Sequence, residues 1–492
     1  MKRGFDNKKY LDLQTKEILN RISKVKGSKL YIEFGGKLFD DVHASRVLPG
    51  FDKNAKIEVL KKLSSQLEVL FVISAKDIEK NKIRSDLGIT YEMDTLRQMD
   101  KLTDMGIMAN KIVITQYEGE KKADMFKNKL ERRGIRAYIH TFTKGYPKDV
   151  DIMVSDEGYG KNSYIEVEKS IIVVTASGAG SGKLATCLSQ IYHEYKKGID
   201  ATYAKYETFP IWNLPLKHPV NMAYEAATAN LKDINVIDSF HLEKYGIPAV
   251  NYNRDMAVFP ILKSILKKIT NKDIYSSPTD MGVNMNGFAI TNEEVVIEAS
   301  KQEIIRRYYY SLCDYKKGLE DNSVSDRISF LMSELNIDAS MRKVVKASLD
   351  KSKEKKEIAV AIELPGGKII TGRNTALMSA PATAVIKTLK SLSKINESIF
   401  LLAPIVLEPM QEVKKTINMN EQLNLYDIIT ALSISASTNP FVKNALEKLS
   451  SLSGLKAHAS HILSNDDYQT LKKLNIDITE EPVYFSKNLY DE

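Results

Sequence analysis

One stretch of the sequence has residue types and spacing suited to holding a phosphate: Thr175-Ala176-Ser177-Gly178-Ala179-Gly180-Ser181-Gly182-Lys183. It follows the apolar run Ser170–Thr175 and opens a helical pattern from about Lys183 to Lys197. Glycines let consecutive backbone N–H groups turn towards an anion, and a helix N-terminus adds partial positive charge. A lysine at the helix start reaches terminal phosphate oxygens as a point charge. The candidate phosphate-binding residues are therefore Ser177, Gly178, Gly180, Ser181, Gly182 and Lys183. Two positions depart from the P-loop pattern. Ser177 stands where that pattern has glycine, and Leu184 stands where it has the Ser or Thr that holds magnesium. Thr186 lies two residues further on and is expected to point off the loop axis. The alternative is a tight strand-to-helix turn that needs glycine for backbone reasons alone.

Other polar loops are expected at the same sheet edge, because ligands of open α/β sheets gather beyond the C-terminal strand ends. After Lys29–Phe34 come Gly35, Gly36 and Lys37, with Asp40 and Asp41 placed to meet a sugar hydroxyl or, if magnesium is used, the ion. After Leu67–Ser74 come Lys76 and Asp77, then the polar loop Asn81–Asp86 with Lys82 and Arg84. The loop Ser276–Gly287 supplies Asp280 and Asn284. Each of these has a plain connector as its alternative reading. His458 and His461 share a face if helical, but no third metal ligand is evident. Cys187 reads as a small core residue, and Tyr308, Tyr309 and Tyr310 as packing residues. There is no GxSxG nucleophile elbow.

The elements that must position these residues alternate. Short apolar runs at Lys29–Phe34, Leu67–Ser74, Lys111–Thr115, Arg136–His140, Asp151–Val154 and Ser170–Thr175 are predicted strands. Amphipathic patterns at Ala55–Gln66, Tyr91–Met108 and Glu118–Arg133 are predicted helices between them. Continuous apolar runs suit parallel strands buried on both faces. The expected fold is α/β: a doubly wound, mainly parallel sheet over 1–290, a helical connector over 291–355, and a smaller C-terminal α/β domain over 356–492. That last part opens on a hairpin around Pro365-Gly366-Gly367, followed by a helix at Ala380–Leu392 and a strand at Ser398–Leu402.

Composition narrows the class. With 43% apolar and 27% charged residues over 492 positions, a disordered or fibrous chain is excluded. The net charge of +8, spread over that length, admits anionic ligands but lacks the dense basic footprint of a nucleic-acid binder. Two distant cysteines give no disulfide framework and fit a reducing compartment. The basic start has no apolar run behind it, so no signal peptide is read, and no apolar run is long enough to span a bilayer. A cytoplasmic protein without nucleic-acid or membrane partners is expected.

Five segments together carry a resemblance: Phe34–Phe51, Ile73–Tyr91, Thr175–Glu194, Ser277–Gly287 and Asn439–Leu463. Over essentially its whole length the chain resembles a family of uncharacterised bacterial cytoplasmic proteins with a domain of unknown function. The family pattern includes the Gly-Ser-Gly-Lys turn, which here is Gly180, Ser181, Gly182 and Lys183. Where that pattern is expected to run Pro-Gly-Pro-Gly, this chain has Ser177-Gly178-Ala179-Gly180. Some members carry the label ATP-dependent peptidase. This sequence has no protease nucleophile set, no zincin motif and no intact P-loop to support it. The resemblance thus implies a family and no activity. Three readings follow: an enzyme acting on a phosphorylated small molecule or nucleotide, a binding protein without turnover, or a structural homo-oligomer whose glycine turn only packs.

Overall fold

The computed structural model describes residues 2–23, 28–84 and 87–486. Ser85 and Asp86, the end of the polar loop after Leu67–Ser74, lie outside the described residues. The chain divides between Ser300 and Lys301 into two compact units.

The first unit is built on seven parallel strands: β1 (Lys29–Phe34), β2 (Leu67–Ser74), β3 (Met108–Thr115), β4 (Arg136–Ile139), β5 (Ile171–Thr175), β6 (Ala201–Tyr206) and β7 (Gly282–Val283). Their order is β7-β6-β1-β5-β2-β3-β4. Every residue of β2 and β5 is buried, which explains why both are mostly apolar; the exception inside β2, Glu68, is buried against the Lys111 ammonium. Side chains alternate between two cores. Leu30, Ile32, Ile171 and Val173 face the helices Ala55–Leu63, Tyr91–Asp104 and Lys121–Glu131. Tyr31, Ile172 and Val174 face Lys183–Lys196 and Asn253–Thr270. β1 and β5 are neighbours, yet the connections leaving them run to opposite sides of the sheet and cover opposite faces. Their C-terminal ends therefore mark the switch point of the sheet, where such folds bind ligands.

The second unit carries a mixed sheet of β8 (Ala359–Glu363), β9 (Ile369–Arg373), β10 (Lys456–Ala459) and β11 (Asp477–Glu480), in the order β9-β8-β10-β11. β8 and β9 form the antiparallel hairpin expected from Pro365-Gly366-Gly367, while β10 and β11 are parallel. The helix Lys343–Lys353, part of the stretch read as a connector, packs on β8, β9 and β10.

Several elements differ from expectation. Asp151–Val154 is not a strand: Val150–Met153 is a short helix whose N-terminus is capped by the Asp149 carboxylate. Ser398–Leu402 runs through turns and bends rather than a strand. The helix from Tyr91 stops at Asp104 because Gly106 takes a left-handed backbone, and β3 already starts at Met108. His458 and His461 share no helix face, since His458 lies within β10 and His461 follows it.

Candidate functional site

The glycine-rich loop joins β5 to the helix Lys183–Lys196, with left-handed Gly182 as the N-terminal residue of that junction and no side-chain cap. Its two ends are held differently. At the start, the Ser177 hydroxyl lies 3.0 Å from that of Thr95 and accepts from the Gln98 amide at 3.3 Å. Gln98 and Arg84 in turn donate to Asp94, at 2.7 and 2.6 Å. Burial opposes the Asp94 charge, but Arg97, Arg84 and Ser177 outweigh it and hold this carboxyl below its ordinary range. At the far end, the Thr115 hydroxyl donates to the Ser181 carbonyl at 2.6 Å, and the Gln116 amide donates to the Gly180 carbonyl at 3.0 Å. Gln116 is itself oriented by Ser74, whose hydroxyl donates to its side-chain oxygen at 2.9 Å.

Tying the carbonyls back leaves the amides free. From Gly178 to Ala185, no backbone N–H donates to another described residue. Orphan donors in that number are satisfied by an anion or by water. Ala179 and Gly180 are exposed. Lys183 is half-buried and forms no ion pair among the described residues. Ser181 and Thr186 are buried with hydroxyls that lack a partner there. Burial, reinforced by Glu33 and opposed by Lys183, pushes the Cys187 thiol well up, and the residue is fully buried in the core.

The remaining predicted residues have structural partners. The Gly35 carbonyl and the Lys37 carbonyl accept from the fully buried Lys56 ammonium at 3.1 and 3.0 Å, and Gly36 lies beside that ammonium. Asp41 pairs with the same lysine at 3.1 Å, and Asp40 pairs with Lys53 at 2.9 Å. Among the described residues, no group of three or more His, Cys, Asp or Glu is arranged to hold a metal ion. Lys76 pairs with Glu118, and Asp77 with Lys82, both at 3.1 Å. Asp280 completes the capping box with Ser277, and Asn284 donates to the Pro210 carbonyl at 2.8 Å. These loops brace the edge, whereas the Ser177–Lys183 loop presents unused donors.

A second group escaped sequence reasoning. In register across the sheet lie Val174, Glu33, Lys205 and Gly282, on the face that carries the helix Lys183–Lys196. The Lys205 ammonium is 2.6 Å from both Glu207 and Asp255. The Tyr203 hydroxyl donates to Glu33 at 2.9 Å. Burial works against the Lys205 charge, but Glu207, Asp255 and Glu33 outweigh it and hold its pKa above the ordinary range. Burial pushes the Glu207 carboxyl up to about 7; Lys205 opposes this and the Asp255 charge adds to it. The only sequence signal was a Lys-x-Glu pattern at the end of Ala201–Tyr206, which also fits a solvated strand end.

Fold and loop together define a doubly wound α/β protein with a glycine-rich, amide-presenting turn at its switch point. The chain belongs to the family described as domain of unknown function DUF1846, whose N-terminal model matches residues 3–336 and whose C-terminal model matches 340–490. It is similar along its whole length to UPF0371 proteins of Fusobacterium nucleatum and Clostridium botulinum, each 54% identical with 99% of the relative covered. A UPF0371 protein of Clostridioides difficile is 52% identical with both chains fully covered. No helix among the described residues is long and apolar enough to cross a membrane.

Proposed function

We propose that the Ser177–Lys183 loop binds the phosphate group of a phosphorylated small molecule or nucleotide, and that the protein acts on that ligand in the cytoplasm. One observation carries this reading: eight consecutive residues, Gly178 to Ala185, whose amides find no acceptor among the described residues, beside a lysine without an ion pair. Thr115 and Gln116 fix the carbonyls of Gly180 and Ser181, so the donors are preorganised for an anion. The departure from a P-loop at Leu184 argues against a magnesium ion held by the loop itself. A packing-only role has its own support, since a side chain at Gly178 would collide with the Tyr91 ring.

A thermal-shift screen of the purified protein against nucleotides, sugar phosphates and phosphorylated cofactors separates the two. A ligand at 100 times its Kd adds ~2.7 kcal/mol of stability, so a phosphate binder shifts in Tm and a packing device does not. A shift equal in wild type and Lys183→Ala would place the ligand elsewhere.

A further inference from the structure

The row Glu33–Lys205 and the carboxylates beside it lie at the same sheet edge, and on the same face, as Lys183. Glu33 links the two groups: it is within electrostatic reach of Cys187, on which Lys183 also acts, and of Lys205 and Glu207. Lys205, Glu207 and Asp255 are closely paired yet not sealed, with side chains 25%, 13% and 22% exposed. One hydroxyl at this place has no partner among the described residues. Tyr252 is 4% exposed with an unpartnered hydroxyl, and it lies within reach of the Glu207 and Asp255 charges. Such an orphan carries a desolvation penalty that a ligand polar group relieves.

The sign of the charge selects the ligand group. Glu33, Glu207, Asp255 and Asp233 outnumber Lys205 and Arg254, with Asp233 and Arg254 paired at 3.2 Å. A second phosphate would be repelled here, whereas hydroxyls donate well to carboxylates. We propose that Glu207, Asp255 and the Tyr252 hydroxyl bind the hydroxyl groups of a phosphorylated polyhydroxy compound, a sugar phosphate or the ribose of a nucleotide. This rests on the phosphate reading of the Ser177–Lys183 loop and names the chemical class of its ligand.

The test titrates the full chain calorimetrically with ethyl phosphate, ribose 5-phosphate, glucose 6-phosphate and AMP. Ethyl phosphate reads the loop alone; the others add hydroxyls, and AMP separates a nucleotide from a sugar phosphate. Wild type is expected to bind at least one hydroxyl-bearing compound ~10- to 100-fold more tightly than ethyl phosphate, as charge-assisted hydrogen bonds would give. Glu207→Gln and Asp255→Asn should remove most of that preference and leave ethyl phosphate binding unchanged. Tyr252→Phe deletes only an unpartnered hydroxyl, so it should fold normally and reduce the preference several-fold. Equal affinity for all four compounds, or a preference untouched in all three variants, would overturn the inference while the loop reading stands. If wild type binds none of the four, both fail.

Discussion

At the scale of single residues, the loop glycines separate conformation from contact. Gly180 and Gly182 both have left-handed backbones, at φ +70° and +85°. A Cβ at Gly180 meets open space, whereas one at Gly182 sits 3.1 Å from the Thr115 side chain, which holds the Ser181 carbonyl. Gly180→Ala should therefore lose only the conformational term of ~1–2 kcal/mol. Gly182→Ala should lose that and more, because Thr115 must give way. Urea unfolding of the two variants checks the order, and equal losses would contradict the packing described for Gly182. Neither the bracing role of Thr115 and Gln116 nor that of Lys56 was legible in the sequence. All three act through tertiary contacts to residues far along the chain.

At the scale of elements, what could be read depended on burial. β2 and β5 are buried throughout, so their apolar runs identify them as central strands. β6 was missed because Lys205 interrupts an otherwise buried strand, a local irregularity of the kind that marks functional sites. The histidine pair misled because a spacing of three means a shared face only on a helix. In β10, His458 is fully buried and bonded to Thr479 at 2.8 Å and Glu481 at 3.1 Å. The end of β3 offers an element-scale prediction. Gln116 sets the Gly180 carbonyl without touching the anion site through any charge. Gln116→Ala should weaken phosphate binding roughly two- to tenfold, the worth of one neutral hydrogen bond, with the fold retained. Calorimetric titration together with far-UV circular dichroism reads both; unchanged affinity would mean that the loop keeps its shape without this brace.

At the scale of the whole molecule, buried histidines tie stability to pH. His140 is 2% exposed, and its Nε2–H donates to the Ser163 carbonyl at 3.0 Å. Burial lowers its pKa to about 4, against about 6.5 in an unfolded chain. Between those values the unfolded chain binds a proton that the folded chain refuses. This contribution is therefore complete above pH 6.5 and is lost as the pH falls towards 4, by up to ~3 kcal/mol. Burial lowers His458 and His218 in the same sense, while it raises Glu480 and Asp467, which work the other way. The comparison that isolates the effect is thus wild type against His140→Gln: the variant should show a shallower fall in urea midpoint between pH 6.5 and 4, and parallel curves would contradict the assignment. The loop itself is tested most directly by calorimetric titration of wild type and Lys183→Ala with the best thermal-shift ligand, with and without magnesium. A ~10- to 100-fold loss of affinity in the variant, with its fold intact, is the expected result; equal affinities in the two proteins would remove the phosphate cradle and leave the glycine turn as a packing device.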